Sequence, residues 1–212
     1  MFLDHARGFA DSDLVAQRGA MLETAEAVRP LLEWSAGLVA RRQAKEPDVL
    51  VPFFDPADAG VEAKLLVLLE APGPMTNNRG DRPGSGFISV DNNDPTAENL
   101  WNLRREFGLD SDVLLWNIVP WYLGPTSVHP NAEQIAQGSL ELRRLIALLP
   151  ELTTVLTCGV PATKGWQRHI APHADQDLTV IETWHPSPLA MAAPGKREGL
   201  RKAFERAARL AG

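Results

Sequence analysis

The chain has 212 residues and a formal net charge of −6, with 44% hydrophobic and 23% charged side chains. That length supports one domain with a sizeable core rather than two, and apolar runs such as Leu65 to Leu69 are far too short to span a bilayer. The single cysteine, Cys158, excludes an internal disulfide and any four-cysteine iron–sulfur cluster built from this chain alone.

The first residues, Met1-Phe2-Leu3-Asp4-His5-Ala6-Arg7, lack the apolar stretch of a secretory signal, so a reducing, cytoplasmic setting is expected. Over residues 12–44 apolar side chains recur at helical spacing, with Pro30 ending one helix or starting another. A proline-rich loop follows (Pro47, Pro52, Pro56). Residues 64–70 then read as a buried strand, and a Gly/Pro/Asn-rich loop runs to Asp94. Asp94 is the expected N-cap of a helix over 95–107. A second strand is predicted at 113–116, a long loop at 117–130, and a helix over 131–149 stopped by Pro150. A third strand (152–157), a short helix after Gly159, a fourth strand (178–183), a loop (184–194) and a helix over 196–210 complete the chain.

Strands alternating with helices predict a three-layer α/β/α fold around a four-stranded parallel sheet. The whole chain is expected to form a single domain, with residues 1–60 a mainly helical N-terminal extension packed on it. Ligands in such sheets bind beyond the carboxyl ends of the strands. Each chemistry-bearing motif falls at one of those ends. Glu70-Ala71-Pro72-Gly73 follows the first strand, Trp116-Asn117 the second, Cys158-Gly159 the third and His185-Pro186-Ser187-Pro188-Leu189 the fourth. Singly each is weak, because a strand-end Asn or Glu often only organises a turn or meets solvent. Together they place an acid, an amide and an imidazole on one rim.

Charge is unevenly distributed. Residues 1–70 hold seven basic and twelve acidic side chains, whereas Lys196 to Arg209 carries six basic against two acidic. The last helix could meet phosphates, or could simply be a solvated face.

This ordered set resembles the uracil-DNA glycosylase superfamily from about Lys64 to the C-terminus. Glu70-Ala71-Pro72-Gly73 resembles the first motif of the iron–sulfur branch, with Leu69 replacing its leading Gly. Residues 82–87 are similar to the loop carrying a base-stacking phenylalanine, here Phe87. Asn99-Leu100-Trp101 is similar to a helix start of the mismatch-specific branch. Leu114-Leu115-Trp116-Asn117 matches the strand ending in the pocket asparagine. His185-Pro186-Ser187-Pro188-Leu189 matches the last motif of the uracil-specific branch. The departures are Ala71, where that branch has a water-activating Asp, and Gly73, where it has a methyl-excluding Tyr.

The resemblance implies a monofunctional DNA glycosylase that flips uracil out of DNA and hydrolyses its N-glycosidic bond to start base excision repair. It implies a monomer without metal, cofactor or iron–sulfur cluster, acting on uracil-containing DNA and away from membranes. A neutral His185 would donate to uracil O2 as charge grows there. Glu70 would position the attacking water or offset the cationic sugar, or serve as a structural carboxylate, with Asp81 and Asp91 in reserve. The Asn117 amide would read N3–H and O4 and reject cytosine. Phe87 would stack on the base or pack into the core. Ala71, Pro72 and Gly73 would wall the pocket. Leu189 would fill the hole left by the extruded nucleotide, while Ser187, Lys196 and Arg197 would grip phosphates. Two other readings stay open: a DNA-binding module without hydrolysis, motivated by Ala71, and a hydrolase of free nucleosides or nucleotides, motivated by the acidic charge.

Overall fold

The computed structural model describes residues 1–81, 83–125, 129–173 and 177–212. Asp11 caps α1 (Ser12–Met21) by accepting from the Asp13 amide at 2.8 Å. The helical stretch expected over 12–44 is interrupted by turns and a short 3₁₀ segment. It restarts as α2 (Arg29–Gln43), with Pro30 in its first turn, where a missing amide removes no intrahelical bond. In the proline-rich loop lies β1 (Phe53–Phe54). Next comes β2 (Leu65–Leu69), with all five side chains buried, and β3 (Phe87–Ile88) returns to pair with β1 in parallel. This two-stranded sheet was not predicted, since two residues offer no alternation to detect.

Asp94 caps α3 (Pro95–Glu106) as expected, its Oδ1 accepting from the amides of Thr96 (2.8 Å) and Ala97 (3.0 Å). The wholly buried β4 (Val113–Asn117) includes Asn117 as its last residue. A reciprocal Asn131–Gln134 cap opens α4 (Ala132–Ile146). Then follow the buried β5 (Thr154–Cys158), α5 (Val160–His169) and the half-exposed β6 (Thr179–Thr183). The predicted loop 184–194 contains a short helix, α6 (Pro188–Ala192), which leads into α7 (Pro194–Ala211).

The main sheet has the order β4-β2-β5-β6, all parallel. The strands β4, β2 and β5 are buried on both faces, as a parallel sheet covered by two helix layers requires. In one layer α3, α6 and α7 touch one another; in the other α4 touches both α2 and α5. The fold is thus the expected three-layer α/β/α architecture. Register places Leu69 opposite Asn117 and Cys158 opposite Thr183, so the strand-end motifs emerge side by side. Among the described residues no helix is long and apolar enough to cross a membrane.

The N-terminal residues are laced to the rest by buried polar groups. Arg18, 4% exposed, contacts Asp55 at 2.5 Å and Asp91 at 2.8 Å. Asp91 also accepts the Leu3 amide at 3.2 Å, and its backbone carbonyl accepts from Phe9 N at 2.9 Å. Trp101 Nε1 donates to Leu3 O at 3.0 Å, and Arg7 pairs with Glu98 at 2.6 Å. The Asp91 contacts tie the N-terminal residues to the segment 85–92, and those of Glu98 and Trp101 tie them to α3.

Candidate active site at the carboxyl rim

Beyond the ends of β2 and β4 the chain turns outward twice, and the two turns are tied together. Ile118 N donates to Leu69 O (2.8 Å) and Val119 N to Glu70 O (3.0 Å). Between them, the segment 88–97 and the loop after β6 lies a cavity of about 470 Å³, within the range of small-molecule sites. It lies where β4 runs on one side of β2 and β5 and β6 on the other, the expected ligand crevice of such a sheet.

The structure brings most of the predicted residues to this cavity. Glu70, Ala71, Pro72, Gly73, Asn117, His185 and Ser187 all line it. Asn117 is 2% exposed and lines the cavity, and its side-chain amide has no hydrogen-bond partner among the described residues. The His185 ring nitrogens are likewise free of hydrogen bonds among the described residues. Burial lowers the His185 pKa below its ordinary value near 6.5, although Glu70 and Asp94 pull the other way. The ring is therefore a neutral imidazole at pH 7.

Three features of the sequence set the His185 loop in place. Gly159 has φ +91°, and a methyl there would meet His185 Cβ at 3.0 Å, so only glycine admits this close approach. Asn99 Nδ2 donates to Pro186 O at 3.0 Å, stapling the start of α3 to the loop. Pro186 and Pro188 restrict the backbone on either side of Ser187.

Phe87 is elsewhere. It is buried, with its ring 6.1 Å from Phe9 and 5.9 Å from Phe53 between centroids, and it does not line the cavity. Of its two sequence readings the structure supports the core anchor. Its neighbours Ile88 and Ser89 face the cavity instead. The reserve acids are also placed away: Asp91 is buried against Arg18, and exposed Asp81 does not line the cavity. Leu189, 79% exposed, sits at the start of α6 outside the cavity. Lys196 lies over the Trp184 ring at 4.6 Å, and Arg197 is exposed nearby. Arg82 lies outside the described residues.

Two site groups were missed by sequence reasoning. His129, which the sequence places only within the long loop 117–130, lines the cavity and places Nδ1 2.6 Å from Glu70 Oε1. That contact raises the His129 pKa through its hydrogen bond and charge interaction with Glu70. No local pattern marks a partner 59 positions away. Asp94, predicted only as a helix cap, also lines the cavity. Burial raises its pKa, while its bonds to the Ala97 and Thr96 amides oppose the shift.

The rim therefore brings together a neutral imidazole, a carboxamide without a partner among the described residues, and two carboxyl groups around one space of small-molecule size. The chain belongs to the uracil DNA glycosylase superfamily, whose family model matches residues 56–209. None of the curated proteins compared with it matches. Membership assigns it, in general terms, to the DNA glycosylase hydrolases of DNA repair, with DNA as the substrate class.

Proposed function

We propose that this protein removes uracil from DNA by hydrolysing its N-glycosidic bond. The observation that carries the reading is the joint placement of Asn117 and a neutral His185 in one cavity. Bond cleavage leaves negative charge on the base and positive charge on the sugar. His185 donates to O2, where the negative charge grows, an interaction worth ~3–4 kcal/mol for one well-placed donor. Asn117 pairs with N3–H and O4; cytosine offers the reverse pattern, and each buried group left unpaired costs ~1–3 kcal/mol. Glu70, held by His129, positions the attacking water or offsets the cationic sugar, and Asp94 supplies a second carboxylate to the same space. Leu189 fills the vacated stack, while Ser187, Lys196 and Arg197 take phosphates. Gly73 borders the cavity, and a methyl added to it would meet no atom within 4 Å. Uracils substituted at C5 and hypoxanthine are accordingly released as well.

A labelled uracil-containing oligonucleotide, incubated with the protein and then treated with alkali, tests this directly. Strand breaks should appear with the wild type. His185→Ala and Asn117→Ala should each lower kcat/KM by about 10²–10³ while remaining folded. Absence of any break with the wild type sinks the proposal.

One observation favours a second reading. Ala71 lines the cavity where the related uracil-specific enzymes have an acid. As a binding module, the protein would hold uracil-DNA tightly without forming abasic product, and Ala71→Asp would create hydrolysis.

A further inference from the structure

Of the six tryptophans, four are buried and Trp101 is half-buried, but Trp184 is 47% exposed. It stands between the end of β6 and His185, on the rim of the cavity without lining it. Its indole Nε1–H has no hydrogen-bond partner among the described residues. The five-membered ring rests against α7, where a methyl added to Gly199 would meet Trp184 Cδ1 and Nε1 at 3.4 Å. Lys196 sits over the ring at 4.6 Å from its centroid, so charge and aromatic surface are offered together.

The charges of α7 are unequal in the same sense. Farther along the helix Arg201 is paired with Glu106 and Glu198, Lys202 with Glu198, and Arg209 with Glu205, which leaves Arg206 alone there without a carboxylate partner among the described residues. Lys196 and Arg197, beside Trp184, have no carboxylate partner among the described residues. Neutralised cations add little to phosphate binding, whereas these two remain available. The exposed indole with one cation over its ring and another beside it, both without a carboxylate partner among the described residues, next to a base-sized cavity, is the chemistry of a stacking platform for single-stranded nucleic acid.

We infer that Trp184 stacks an unpaired base flanking the nucleotide held in the cavity, with Lys196 and Arg197 on the adjoining phosphates, and that the protein prefers single-stranded DNA. This rests on the DNA-substrate reading above. A base within a duplex is stacked on both faces and offers the indole nothing, so the same contact disfavours paired DNA.

The test is titration with a short oligothymidylate, which contains no uracil and has no complementary strand. Wild-type tryptophan emission should be quenched, and a duplex of equal length should bind more weakly. Trp184→Leu should lose the quench and bind the labelled oligonucleotide about ten- to a hundred-fold more weakly by anisotropy. Trp184→Phe should keep most of the affinity, and Lys196→Gln should lower the slope of log K against log salt by about one. Wild-type affinity in Trp184→Leu, tighter binding of the duplex, or no binding at all overturns the inference. Because no base is released in this assay, it is independent of the proposed activity. An inactive protein whose oligothymidylate binding depends on Trp184 loses the hydrolysis reading and keeps this one; an active protein indifferent to Trp184 does the reverse.

Discussion

His185 and Asp94 show how one cavity sets two titratable groups in different states. Burial lowers the His185 pKa, so its neutral form is kept to lower pH than in free imidazole. Base release that depends on a neutral His185 should therefore stay level as pH falls through 6.5 and drop only below that; a drop centred at or above 6.5 in kcat/KM against pH would contradict the assignment. The stability consequence has the opposite cost. Between the folded and unfolded pKa values the unfolded chain binds the additional proton, so His185 removes stability as pH falls below about 6.5. Asp94 is raised by burial, which means that its charged form is disfavoured in the fold. Asp94→Asn retains an oxygen for the Thr96 and Ala97 amides and removes the charge. Thermal melts at pH 7 should show it at least as stable as wild type, and a fall in kcat/KM alongside would mark the carboxylate as functional. A destabilised Asn variant would show instead that the cap needs the charge.

At the scale of elements, the site depends on how strand ends turn. Gly159 follows β5 with φ +91° and ψ 165°, a region essentially restricted to glycine, and it faces His185 Cβ. Gly159→Ala should cost ~1–3 kcal/mol in urea melts. It should also lower kcat/KM further than the lost stability explains, because the His185 loop must move. Equal effects on both would deny Gly159 a positioning role. The long elements were legible because their signals are local: five consecutive aliphatics for β2, the Asp94 cap for α3, the Pro150 stop after α4. What escaped was short or depended on partners. The two-residue β1 and β3 have no periodicity, and α6 begins in a run, Pro186-Ser187-Pro188, that reads as a rigid loop. The helical pattern over 12–44 concealed a break because residues on either side of it pack on the same core.

Across the whole molecule, the N-terminal region bears on the site without entering it. Arg18 joins Asp55, beyond β1, to Asp91, in the segment that carries Ile88, Ser89 and Asn92 into the cavity wall. Removing one member of a buried ionic cluster leaves uncompensated charge, so Arg18→Ala should destabilise the protein by roughly 3–5 kcal/mol. Its base release should fall as well, since the wall is held partly by this cluster. Denaturant melts with an activity assay check both effects, and a loss below about 1 kcal/mol would show that water or other groups satisfy the two aspartates.

By itself the sequence determined the fold class, because buried aliphatic runs alternating with capped amphipathic helices can bury their apolar surface only as a covered parallel sheet. It also determined which chemical groups stand at the strand ends, since a motif that follows a strand is carried to that strand's carboxyl rim. Only the tertiary structure decided which of those groups share a space. It took Phe87 into the core against Phe9 and Phe53, brought His129 onto Glu70, and turned Asp94 from a helix cap into part of the cavity wall. These outcomes rest on contacts between residues far apart in the chain, and such contacts leave no periodic trace in the sequence around either partner.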